Sequence, residues 1–125
     1  MSSFKSFEEL GCWQSARELR LFVSKSIILK FPKDEKYSLT SQIKRCSRSV
    51  GNNITEGYGR FHFQENIQFC RIARGSLFET LDHRIIAFDE GYISNEILEE
   101  LRKIHNKTLL ILNGYIKYLK NQKAK

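Results

Sequence analysis

Ile97, Leu101, Ile104, Thr108, Ile111, Tyr115 and Tyr118 recur at alternating spacings of four and three residues. A strand would alternate every second residue, so this stripe can fold only as one face of a long helix. Three further stretches show the same period and none of comparable length alternates like a strand. Trp13, Ala16, Val23 and Ile27 mark a helix over about 10–29, and Leu39, Ile43, Cys46, Val50 and Ile54 a second over about 38–56. The third spans about 63–88 and the fourth about 95–120. At 1.5 Å per residue these are rods of about 27 to 39 Å. Three short connections between such rods predict an all-α, antiparallel up-down-up-down four-helix bundle in one domain, 1–125.

The punctuation agrees with these boundaries. Phe31-Pro32 stops the first helix, because a residue before proline is pushed out of the helical region. Ser6 and Glu9 resemble a capping box that would start it early, with Gly11 inside its first turns. Gly57-Tyr58-Gly59 reads as the turn after the second helix. Ser94 or Asn95 caps the fourth, whose early Glu96, Glu99 and Glu100 and late Lys117 and Lys120 complement the helix dipole. Lys117, Lys120, Lys123 and Lys125 are expected to form a frayed, solubilising end.

With 41% hydrophobic and 28% charged residues the 125-residue chain is too apolar to stay disordered. The first ten residues lack the apolar run of a signal peptide, and the longest aliphatic run is Leu109–Leu112, far below the roughly 20 residues of a membrane span. Cys12, Cys46 and Cys70 are odd in number and have no C-x-x-C spacing, so we read them as buried thiols in a reducing, cytoplasmic setting. No membrane contact is expected.

The third helix presents two apolar faces. Phe69, Ile72, Ala73, Ser76 and Ala87 lie on one; Phe63, Ile67, Leu81, Ile85 and Phe88 lie on another, more than 90° away. The fourth helix has an extra flank of Leu98, Leu109 and Ile116. Spare apolar flanks point to self-association, with a wide core around bulky residues as the alternative.

Catalytic and metal motifs are absent from the spacing. A carboxylate-bridged metal bundle needs E-x-x-H on two helices, and no E-x-x-H occurs. Of His62, His83 and His105 only His83 has an acid one turn away, Glu79, a spacing that reads first as a surface pair. No nucleophile motif such as G-x-S-x-G appears, and no cofactor, metal or catalytic residue is assigned.

Charge is more informative. The formal net charge is +7, with the third helix the acidic exception. Opposite the core stripe of the second helix, Ser41, Arg45, Arg48 and Asn52 share about 60° of arc, with Lys44 on the flank. Guanidinium forks among hydroxyl and amide donors suit phosphate oxygens, so Lys44, Arg45, Arg48, Asn52 and, further on, Arg60 are the candidate nucleic-acid contacts. Tyr58, Phe61 and Phe63 near Arg60 either stack on exposed bases or pack over the bundle's end.

Four ordered motifs cover nearly the whole chain: Leu10-Gly-Cys-Trp13-Gln14-x-Ala16; Phe31-Pro32 with Glu35-x-Tyr37-x-Leu39-Thr40-x-Gln42-Ile43; Asn53-Ile54-Thr55-Glu56-Gly57-x-Gly59-Arg60; and Ile72-Ala73-x-Gly75-Ser76-Leu77-x-Glu79. The pattern resembles the 23S rRNA intervening-sequence proteins, also called S23-like. That resemblance implies a ring-like homopentamer of four-helix bundles. It also implies likeness to the accessory variability protein of diversity-generating retroelements, a basic bundle that binds nucleic acid and a reverse transcriptase. In its light Glu79 would pair a buried arginine, Gly57 and Gly59 would serve a turn, and Gly75 with Ser76 would permit close helix approach. The chain departs from many relatives at Gly51, where they have proline, and at Leu81, where they have a second acid. The functional expectation is a non-enzymatic, homo-oligomeric binder of RNA or DNA backbones. The alternative is a scaffold that docks a protein partner such as a polymerase.

Overall fold

The computed structural model describes residues 6–125 and contains four long helices, with no strand among the described residues: α1 (Gly11–Phe22), α2 (Leu39–Gly59), α3 (Phe63–Asp89) and α4 (Asn95–Ala124). Each helix packs on the next and α4 returns to α1, closing a four-helix bundle. Among the described residues no helix is long and apolar enough to cross a membrane.

Local chemistry sets the ends. The Ser6 hydroxyl accepts from the Glu8 amide and caps a separate 3₁₀ turn, Phe7–Glu9; Leu10 is then extended, so α1 begins only at Gly11. After Phe22 the helical path continues through a wide π turn, Val23–Ile27, and a 3₁₀ turn, Ile28–Lys30, and Phe31 is extended ahead of Pro32. Glu35, rather than Ser38, caps α2: its Oε1 accepts from the Leu39 amide at 3.3 Å while its Oε2 accepts from the Tyr92 hydroxyl at 2.7 Å. Past α3, Gly91 takes φ +79°, the Tyr92 amide reaches back to the Ala87 carbonyl and the Gly91 amide to that of Phe88. These two bonds form a Schellman cap, which a positive φ at glycine allows. The Ser94 hydroxyl then accepts from the Ile97 amide and opens α4. The helix runs on to Ala124, and Lys123 hydrogen-bonds Gln64, so the lysine-rich end belongs to α4 instead of fraying.

The glycine pair expected to turn the chain lies inside α2. The turn is made by Phe61, at φ +53°. Gly57 serves another purpose: a Cβ there would stand 2.7 Å from Asn66 Oδ1 and 2.9 Å from Phe69 Cβ, so it permits α2 and α3 to close. Gly75, expected to do this, faces open space, although its neighbour Ser76 bonds Ser49 across the seam at 2.8 Å.

The α2 core stripe is as expected. On α3 the buried ridge is Asn66, Cys70, Ala73, Leu77, Thr80, Arg84 and Ala87, between the two faces that hydropathy marks. Polar residues at three of these positions hide it. Asn66 is satisfied by Tyr115 at 3.1 Å and Thr80 by the Ser76 carbonyl at 2.9 Å. Arg84 is fully buried, and its three guanidinium nitrogens have no hydrogen-bond partner. Glu79 does not pair with it; it pairs with His83 at 3.3 Å. On α4 the core stripe is Leu98, Leu101, His105, Thr108, Leu112, Tyr115 and Leu119: it keeps Leu101, Thr108 and Tyr115 from the expected stripe and turns toward Leu98, His105, Leu112 and Leu119, with His105 buried and edge-on to Phe78. Ile97, Ile104, Ile111 and Tyr118 are only partly covered.

Candidate nucleic-acid interface

The outward face of α2 and the segment before it form a shallow groove. Lys36, Lys44, Arg45 and Arg48 supply its charge, and Thr40, Ser41 and Asn52 its uncharged donors; Tyr37 completes it at one end. Lys44, Arg45, Arg48 and Asn52 are exposed, and the groove holds no acidic residue. Among the described residues the ion pairs form elsewhere: at Arg60, His83, Arg102 and Lys107. One turn of helix rises about 5.4 Å, so the donors recur along α2 as a ladder. A surface that leaves several cations without internal anions is complementary to an extended polyanion.

Four of the five sequence-expected contacts therefore share this face. Arg60 does not. It stands two turns beyond Asn52, bonded to Glu56 at 3.5 Å and Glu65 at 3.4 Å, with its guanidinium 5.1 Å over the Phe69 ring. The two carboxylates neutralise it locally at the α2–α3 corner. Tyr58 and Phe61 lie against each other at that corner, and Phe63 is partly buried. Sequence reasoning missed Lys36, Tyr37 and Thr40. Their signal was position: they immediately precede or open a helix whose first half exposes Lys44, Arg45 and Arg48. Lys36 Nζ lies 5.3 Å from the exposed Tyr37 ring.

The cysteines offer no catalytic alternative. All three are free and buried. Burial, with Cys70 adding, pushes Cys12 up to about 12, and burial pushes Cys70 up to about 12 against the opposing charge of Arg74. Burial likewise raises Cys46. Such thiols are poor nucleophiles at neutral pH. The cleft between α1 and α4 is lined by Glu18, Lys25, Glu100, Lys103 and Lys107 with apolar neighbours, and carries no histidine or cysteine.

A profile of the family described as 23S rRNA-intervening sequence protein matches residues 8–114, from the turn before α1 to within α4. The chain belongs to that family. The match includes every residue of the basic groove and the whole α2–α3 pair. No curated protein matches the chain. The family's name refers to an intervening sequence of 23S ribosomal RNA.

The flanks expected to join copies of the chain divide in two. Ile67, Leu98 and Ile116 are buried in the chain's own core, at 2%, 7% and 3% exposure, and are unavailable to a neighbour. They were misplaced because the true α3 and α4 ridges lie between the apparent apolar faces. Phe63, Leu81 and Leu109 are partly covered, while Ile85 and Phe88 remain exposed. Ile72, Phe78 and Ile86 add to the open apolar side of α3.

Proposed function

We propose that this family member binds RNA or DNA through the phosphate backbone on the α2 groove. Lys44, Arg45 and Arg48 without internal counter-ions, set among Ser41, Thr40 and Asn52, carry this reading. Guanidinium forks grip phosphates without reading bases, so recognition is by backbone rather than sequence. The reading is non-enzymatic and needs no cofactor, and a cytoplasmic setting fits the free buried thiols. We read the rods as antiparallel, since their connections are short, and the assembly as a homo-oligomer joined through the open side of α3. A pentamer, which the family resemblance implies, would carry a formal +35 from five copies of +7.

The deciding experiment is binding of fluorescently labelled RNA and DNA over a salt series. Affinity is expected to fall steeply as salt rises, since each neutralised phosphate releases counter-ions. A flat response, or no binding at about 50 mM salt, overturns the reading. The second reading is a scaffold that docks a protein partner, favoured by the exposed Ile72 and Phe78. A partner retained after nuclease treatment by a chain that fails the salt test would establish it instead.

A further inference from the structure

Sequence spacing offered only the Glu79–His83 pair on one helix; the fold adds a sulfur from another. Cys46, on α2, faces the α3 residues Glu79 and His83 so that one potential ligand atom from each lies within 4.8 Å of the other two. The three atoms are graded from core to solvent, with a buried thiol, a mostly buried imidazole and an exposed carboxylate. His83 Nε2 is 3.3 Å from Glu79 Oε2, while Nδ1 is sealed from water without a hydrogen-bond partner. The Thr80 hydroxyl lies 3.3 Å from the Cys46 sulfur.

We propose that Cys46, Glu79 and His83 form a site for a thiophilic divalent transition metal, of the zinc class, that bridges α2 and α3. Zinc holds sulfur at about 2.3 Å and nitrogen or oxygen at about 2.0–2.2 Å, which places tetrahedral ligands about 3.3–3.7 Å apart. The carboxylate and imidazole already meet that separation, and a closure of about 1 Å brings the widest pair into range. Thiolate, imidazole and carboxylate together select against magnesium and calcium, which prefer all-oxygen shells. Three protein ligands leave a fourth position on the solvent side, beside exposed Glu79, for water. Binding exchanges the thiol proton for the metal, and the site adds a link between two helices already joined through packing, the Ser49–Ser76 bond and the Thr80–Cys46 contact. The site is separate from the phosphate groove, which faces outward on α2, so it stands or falls independently of nucleic-acid binding.

The test uses Co²⁺ as a spectroscopic substitute for Zn²⁺ on the full-length, reduced, metal-free chain. A one-to-one thiolate-to-cobalt charge-transfer band is expected, displaced by Zn²⁺, together with a Zn²⁺-dependent rise in melting temperature. Cys46→Ala and His83→Ala should abolish both signals, and Glu79→Gln should weaken them. Cys12→Ala, which removes a thiol remote in sequence and buried in α1, should leave both intact. Circular dichroism checks each variant's fold; if Cys46→Ala does not fold, His83→Ala and Glu79→Gln, on the solvent side, decide. No band at millimolar Co²⁺, or a band that survives in folded Cys46→Ala or His83→Ala, overturns the site.

Discussion

Gly57 and Gly51 stand two turns apart on α2 and respond oppositely to one added methyl. At Gly57 the new Cβ would meet Asn66 Oδ1 at 2.7 Å, the Phe69 Cβ at 2.9 Å and the Asn66 carbonyl at 3.1 Å. Two of these belong to backbone or to the root of a side chain, so α3 itself must retreat. At Gly51 the nearest atoms are Trp13 Nε1 at 3.6 Å and Ala16 Cβ at 3.8 Å, ordinary contacts. Gly57→Ala should therefore destabilise by about 1–3 kcal/mol through overpacking, whereas Gly51→Ala should stabilise by about 0.5–1 kcal/mol through helix propensity. Urea unfolding of both variants measures the contrast. Arg84 offers a second test. Burial, reinforced by Arg102 and opposed by Glu99, pulls its guanidinium down to about 10 from 12.5. The depressed value means that the charged folded form is penalised at all pH below about 10, and that the penalty fades only as pH rises from there into the ordinary arginine range. Replacing an unpaired buried charge with an apolar residue of similar length removes that penalty, so Arg84→Met should stabilise at pH 7 by about 1–4 kcal/mol. The advantage should shrink in alkaline melts above pH 10. Burial, with Arg84 and Arg102 adding, holds His105 below the usual imidazole range.

On α2 both the core stripe and the basic face were legible, because apolar and polar letters segregate cleanly on one helix. The core ridges of α3 and α4 were not. Asn66, Thr80, Arg84 and His105 occupy inner positions, and hydropathy assigns such residues outward. For Asn66 the burial rests on a partner from another helix, the Tyr115 hydroxyl, as it does for Thr108 with Ser15 at 2.6 Å, and no single-helix pattern reveals that. The same limit hid Cys46 from Glu79 and His83, which the fold alone brings together. The pairing of Arg60 was hidden too, because local charge does not disclose Glu65, on the next helix, as its second partner. The legible part of α2 yields a quantitative expectation. Each cation that neutralises a phosphate contributes about 0.7 to 0.9 to the slope of log affinity against log salt. Arg45→Ala combined with Arg48→Ala should reduce that slope by about 1.4 to 1.8, while Arg60→Ala, already neutralised by two carboxylates, should leave it nearly unchanged. Fluorescence anisotropy at four or five salt concentrations distinguishes the two.

At the scale of the whole molecule, the most telling surface is the outer side of α3, where Ile72 is 53% and Phe78 48% exposed. Apolar groups grouped on one helix mark an interaction surface more often than scattered ones do. Light scattering should report a multiple of 14.7 kDa, and Ile85→Lys should lower that mass without loss of helicity. A lone 14.7 kDa particle at every concentration would remove the assembly from the picture. One feature of α1 bears on how the chain tolerates change in its own length. In the Val23–Ile27 turn the Ile28 amide reaches back five residues, to the Val23 carbonyl, one more than the regular helical step. The surplus residue is housed in a bulge instead of being carried along the rod. Excising exposed Ser24 would let the winding tighten locally, with Phe31 still able to seat against Tyr92. Excision from the middle of α2 would instead rotate everything downstream by about 100° relative to what precedes it and turn part of the core stripe outward. Among the described residues, this bulge is therefore a place where loss of one codon should keep the shape.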